Sequence, residues 1–338
     1  MLGGVLRRIA GQASSGRAAA PFPPYRLIER DYLAEAQEKH ARLERLYHNT
    51  QKQAWDGRAV LKMLLEKHGG VKQLPADRKA AIARVFSVIL WGELAAWNVS
   101  ADIAEALDDV EAKMAASGQV FDEARHFYTM RDYLLELGIE IPPLDAYTRA
   151  ILIDVLETTS LTEKLIGMQL LVENVAVNLF RAVAKSGIEP VLSELMPYFE
   201  RDEARHVGLG VLYLPGHLAK LSRLESMRLQ LFQVKVNTFI VWGTILLRDS
   251  FEALGIDLHD VFTHGLKSQL EIFQQMGRFE GGTKGIYIPQ GVFAKINDLA
   301  IENFFPPRER PRPPWMRAMH GVMQRAAQAG DTLLEWAA

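Results

Sequence analysis

The sequence predicts an all-α fold organised around a four-helix bundle, with additional helices before and after it. Three observations carry that expectation. Apolar residues recur at three- and four-residue steps from Tyr25 to about Gly277, with almost no strand-like alternation of Val, Ile and Thr. Turn residues cut this stretch into helix-sized pieces. The pentapeptide Asp-Glu-Ala-Arg-His occurs twice, at 122–126 and 202–206, each copy thirty residues after the start set by a glutamate inside an apolar run, Glu93 to Glu123 and Glu173 to Glu203.

Residues 1–24 read as a flexible arm: Arg7, Arg8, Gln12, Ser14, Ser15 and Arg17 interrupt any apolar core that a signal peptide would need. Its basic, acid-free character leaves a weak membrane or partner anchor open. A helical domain then spans 25–277, with turns expected at Gly69-Gly70 with Pro75, Asp108-Asp109, Gly138 with Pro142-Pro143, Ser186-Gly187 with Pro190, Pro215-Gly216 and Gly255. Residues 145–185, apolar on most sides, predict a central helix broken near Ser160. From 278 to 338 the chain turns Gly- and Pro-rich and is expected to be irregular, ending in an amphipathic helix over Trp315 to Trp336 that packs on the bundle as a strap or as a cover. No run of 18–20 uninterrupted apolar residues predicts a membrane span, so the expected location is cytoplasmic.

Composition narrows the chemistry. With 338 residues, 49% hydrophobic and 24% charged, the chain can bury a large core. Lys and Arg number 39 against 41 Asp and Glu, and the net charge of -2 gives no electrostatic reason for a nucleic-acid partner. The absence of cysteine excludes disulfides, thiolate metal sites and cysteine nucleophiles, so a metal must be held by nitrogen and oxygen.

The duplicated motif supplies those ligands. Thirty residues of one helix would separate two side chains by roughly 45 Å, so each glutamate can meet its pentapeptide only across a turn. Turn residues stand near both midpoints, Asp108-Asp109 and Ser186 to Pro190. Two antiparallel hairpins follow, and within each Glu-x-x-His the three-residue step places carboxylate and imidazole on one helix face. Glu93, Glu123, His126, Glu173, Glu203 and His206 then converge in an apolar bundle. Four carboxylates there cannot all stay ionised without cations, and two iron ions, or Mn/Fe or Mn/Mn pairs, suit this carboxylate and imidazole set. Asp122 and Asp202 are expected to accept the free ring N–H of the histidine on the opposite hairpin, with Arg125 and Arg205 balancing charge. Helical spacing places Ile89, Leu90, Trp97, Gln169, Leu170, Val177, Phe180, Phe199 and Val207 near the ions as pocket or core. The remaining histidines, including His40, His68 and His320, have no matched acidic partner in this pattern, and Gly281 to Gly285 lacks the order of a phosphate loop and reads as a turn.

Over about 80–215, these residues resemble the ferritin-like di-iron carboxylate superfamily, in its oxygen-activating branch of ribonucleotide reductase small subunits, monooxygenase hydroxylases and acyl-carrier desaturases. The Asp-Glu-x-Arg-His form is especially similar to the hydroxylases. The resemblance implies the six residues as metal ligands and an oxidase or monooxygenase that uses O2 on a small apolar or aromatic substrate, with an electron-donor protein and a possible homodimer. Met130 stands where the reductase subunits carry a radical-bearing tyrosine, Val177 where the hydroxylases carry a threonine, and Ala96 where crosslinked ligand-binding oxidases carry a valine. The alternative is a non-catalytic bundle for iron storage, ferroxidase buffering or structure. The two differ in whether a cavity beside the ions admits a molecule larger than O2.

Overall fold

The computed structural model describes residues 38–278 and 290–337. Among them are eleven helices and no strand: α1 Glu38–Gln53, α2 Gly57–His68, α3 Ala76–Ala106, α4 Val110–Glu136, α5 Ala146–Glu157, α6 Leu161–Ser186, α7 Pro190–Lys220, α8 Arg223–Ala253, α9 Leu258–Met276, α10 Gln290–Phe304 and α11 Pro314–Ala337. The expected arm, the first helical residues after Tyr25 and the Gly281 to Gly285 turn lie outside the described residues.

Helices α3, α4, α6 and α7 form the bundle, paired as the two expected hairpins. Each hairpin is closed by local chemistry. Asp109 caps α4 by accepting the Ala112 N–H at 3.2 Å. Gly187 ends α6 with φ 60°, a left-handed conformation that glycine adopts without a Cβ clash. Glu189 then accepts the Leu192 N–H at 2.9 Å, and Pro190, fixed at a helical φ, starts α7.

The apolar interior divides into two clusters. One gathers Phe86, Met130, Tyr133, Phe180, Leu195 and Phe199; the other gathers Ile103, Ala116, Leu165, Leu170, Leu209 and Leu214. In every bundle helix the residues between these groups are the polar, motif-bearing ones. α1 and α2 pack on α4 and α7, while α5 and α8 cover α3 and α11 packs on α5 and α8.

Two expectations are corrected and a third is refined. Pro215-Gly216 is no turn: α7 runs through buried Pro215 to Lys220, and the break falls at Ser222, whose hydroxyl and Glu225 form a reciprocal capping box. A fully made cap fixes a boundary better than a proline whose missing N–H is the loss of one helical bond. Residues 290–304, expected to be irregular, form α10, a stretch free of proline between Pro289 and Pro306. Finally, α3 and α6 are each long and apolar enough by composition to cross a membrane, at mean hydropathies of 1.4 and 1.2. They are the bundle's central helices, and their apolar content is accounted for by burial against neighbouring helices.

Candidate metal centre

All six sequence-predicted ligand residues meet between the two apolar clusters, and all are buried. α3 supplies Glu93, α4 supplies Glu123 and His126, α6 supplies Glu173, and α7 supplies Glu203 and His206. They fall into two groups of four: Glu93, Glu123, His126 and Glu203, and Glu123, Glu173, Glu203 and His206. Within each group, one candidate donor atom per residue lies within 4.8 Å of the others. Glu123 and Glu203 belong to both groups. A pair of carboxylates shared in this way could help to hold two cations at once.

The histidines are oriented for metal. His126 Nε2 lies 3.2 Å from Asp202 Oδ2, and His206 Nε2 lies 3.3 Å from Asp122 Oδ2, each aspartate reaching across to the other hairpin. With Nε2 so engaged, Nδ1 of both rings turns inward: His206 Nδ1 lies 3.0 Å from Glu123 Oε1, and His126 Nδ1 lies 2.9 Å from Glu203 Oε1. Arg205 Nη2 donates to Asp122 Oδ2 at 2.9 Å and to Asp202 Oδ1 at 2.6 Å. Arg125 Nη2 donates to Asp202 Oδ2 at 2.8 Å and also to Asp122. Two guanidiniums thus neutralise two buried aspartates, which in turn hold the imidazoles.

Ionisation within the cluster is polarised. Burial raises Glu93 well above the ordinary carboxyl range, against the pull of His126. Burial and the charges of Glu203 and Glu123 raise Glu173. For Glu203, burial and the histidine charges oppose each other, and the histidines win, holding it well below its usual value; Glu123 is lowered in the same way. His126 and His206 are raised well above ordinary imidazole: burial works against their charge, and Glu203 and Glu123 overcome it. The raised groups keep their protons to higher pH than usual, which lessens the negative charge of the cluster. Glu123 Oε2 is buried without a hydrogen-bond partner, and His126 Nδ1, although 2.9 Å from Glu203 Oε1, is not aligned to make a hydrogen bond. Unsatisfied donors and acceptors of this kind are rare in protein interiors, and here they face the centre of a hard-donor set, so the residues fit divalent ions.

The surrounding side chains divide the predicted pocket. Phe199 stacks on the His126 ring at 4.4 Å between centroids. Gln169 is fully buried and donates to Gln119 Oε1 at 2.7 Å, while Gln119 Nε2 donates to Glu173 Oε1 at 2.9 Å and Glu123 Oε1 at 3.1 Å. Phe180 lines an apolar cavity of about 160 Å³ that reaches Glu93, Glu173 and Glu203 between α3, α5, α6 and α8. Ile89 also borders it. Val177 is buried but is not among the residues lining this cavity. Trp97 is corrected: although it stands one turn after Glu93, it is 38% exposed, packs on Phe127 and does not line this cavity.

Two contributors escaped the sequence. Gln119 stands one turn before Glu123, as Gln169 does before Glu173, a spacing that could have found it. Trp55, whose Nε1 donates to Asp202 Oδ2 at 2.7 Å, lies in the break between α1 and α2 and carried no signal. Arg125 stacks over the same indole at 4.9 Å. Away from this centre, His40 is not partnerless: it contacts Asp109 and Glu111 at 3.3 and 3.2 Å, and His68 contacts Glu194 at 3.1 Å.

No family model matches the chain, and no curated protein matches it. Among solved structures, a mutant of R2-like ligand-binding oxidase with aerobically reconstituted Mn/Fe cofactor aligns with a TM-score of 0.51 at 16% identity, over 77% of this chain and 90% of that one. A second mutant of the same oxidase aligns at 0.48 and 15% identity, over 78% and 92%. The first likeness establishes the fold: the chain has the ferritin-like architecture of that oxidase.

Proposed function

We propose that this chain is a dinuclear metal oxidase in which Glu93, Glu123, His126, Glu173, Glu203 and His206 hold two ions and O2 is used to oxidise an apolar substrate in the adjoining cavity. The observation that carries this reading is the pair of four-residue groups sharing Glu123 and Glu203. Two iron ions, or one manganese and one iron, suit the donor set; the fold neighbour was reconstituted with an Mn/Fe cofactor, which supports the mixed pair as well.

Two such ions, once bound, supply the reduction of dioxygen, with electrons from an external donor protein. The chain's own residues do the rest. Asp122 and Asp202 fix the imidazoles so that Nδ1 faces the ions. Glu123 and Glu203 join the two positions, and Gln119 orients Glu173 through its amide N–H groups. Phe180 and the rest of the apolar cavity wall disfavour water on the side where Glu93 and Glu173 face open space, which protects a reactive site from hydrolysis and proton leakage.

A storage or structural bundle is the weaker reading, because a cavity of about 160 Å³ beside the carboxylates far exceeds what dioxygen or a single water needs. The test is anaerobic loading with Fe(II), alone and in competition with Mn(II), followed by optical spectroscopy as O2 is admitted. An oxygen-dependent transient absorption is expected. Stable uptake of both ions with no oxygen reaction would move the chain to the storage or structural class.

A further inference from the structure

Beside the metal-side cavity lies a second chamber, also of about 160 Å³, bounded by α6, α8, α9 and α10. The two compartments share Val175, Leu179, Ile240, Thr244 and Phe251, so they meet along one wall. Their linings differ in kind. The metal-side cavity is apolar apart from its carboxylates and a few hydroxyls, whereas the second chamber has no charged side chain and collects amides from all four helices: Asn174, Asn178, Asn237, Gln269 and Asn297.

Buried amides require partners. Asn174 has them: its Nδ2 donates to the Gly265 carbonyl at 3.2 Å and to Gln269 Oε1 at 3.3 Å, and its Oδ1 accepts from the Ser268 hydroxyl at 2.7 Å. Asn178 Nδ2 donates to the Asn174 carbonyl at 2.7 Å. Two atoms remain over. Gln269 Nε2, a donor, and Asn178 Oδ1, an acceptor, are buried with no hydrogen-bond partner, on residues only 6% and 4% exposed. Asn178 also borders a recess with Arg181, Lys185 and Asp260, so the chamber adjoins that recess as well as the metal-side cavity.

We infer that this chamber binds the head group of the substrate, and that the substrate is a neutral amphiphile: an uncharged donor–acceptor end, such as a carboxamide or alcohol, on an apolar chain that reaches toward Glu93 and Glu173. This rests on the oxidase reading for the word substrate, but not for the site. A carboxylate or ammonium in this lining would be desolvated with no countercharge, whereas a carboxamide offers an acceptor to Gln269 Nε2 and a donor to Asn178 Oδ1.

The experiment is calorimetric titration of the full chain, metal-free and Mn(II)-loaded, with octanamide, octanoate and octylammonium, with metal content read on the same samples. In the metal-free chain octanamide is expected to bind at least tenfold more tightly than either ion. Gln269→Leu is expected to lower octanamide affinity about tenfold and to leave metal content unchanged. Equal or tighter binding of octanoate or octylammonium by the metal-free chain, binding of none of the three, or a folded Gln269→Leu variant that binds octanamide like the wild type overturns the inference. If that variant does not fold, the wild-type ranking alone decides. A chain that takes up no metal yet ranks octanamide first overturns the dimetal reading and leaves the chamber standing; two metals with no amide preference does the reverse.

Discussion

Glu123 and Glu203 are the two glutamates of the cluster that the neighbouring histidines hold below the usual carboxyl range, and they are also the two common to both four-residue groups. Loss of one should therefore cost more than loss of Glu93 or Glu173, each of which serves one position. We expect Glu93→Ala and Glu173→Ala to retain about one ion per chain and Glu123→Ala to retain none, as read by metal analysis after desalting. The pH dependence has a definite sign. In the ion-free chain Glu93, Glu173, His126 and His206 all keep protons to higher pH than their ordinary values. Divalent ions compete with those protons, so loading should release protons, and affinity should rise with pH and fall as acid restores them. Calorimetry in buffers of different ionisation enthalpy measures the release directly; uptake without proton release would contradict the assignment. Asp202→Asn should weaken metal binding by roughly 10–100-fold, because His126 Nε2 and both arginines lose their shared acceptor charge. At this scale the convergence of the six residues was legible because their spacing repeats at an interval of eighty residues. Trp55 was not, since its approach to Asp202 is made by tertiary packing across 147 positions of sequence.

Helix α6 departs from regular geometry where the centre needs it. Residues Ile166–Val172 are π-helical, and the Glu173 N–H reaches back to the Met168 carbonyl. A π segment inserts an extra residue into the turn and re-aims the side chains beside it, here Gln169 and Glu173. α7 packs against this segment at Gly210, where a Cβ would lie 2.6 Å from Gln169 Cβ. Gly210→Ala should destabilise the fold by about 1–3 kcal/mol in chemical denaturation, with reduced metal retention as Gln169 is displaced. The helices and their capped turns were readable from periodicity and from Asp109, Gly187 and Pro190. The π segment and the passage of α7 through Pro215 were not, because each depends on packing partners distant in sequence rather than on local propensity.

Across the whole molecule, the duplicated hairpins give an approximate internal symmetry that ends beside the ions. Gln119 and Gln169 flank Glu173, while the positions eighty residues away are Phe199 and Ile89, which are apolar. One side of the centre is thus hydrogen-bonded and the other faces ring and aliphatic carbon, with the cavity extending toward α8. Cavities were beyond the sequence because they are set by α5, α8, α9 and α10, whose apolar faces predict burial without saying where space is left. Since ions bind the assembled bundle and not the unfolded chain, loading should raise the melting temperature, with a stabilisation of about 2.7 kcal/mol at a free metal concentration a hundredfold above Kd. The most direct test of the shared-carboxylate centre is metal analysis of anaerobically loaded wild-type chain beside Glu203→Ala, with folding checked by circular dichroism. About two ions in the wild type and none in the folded variant is the expected result; two ions retained by Glu203→Ala, or none bound by the wild type, would contradict it.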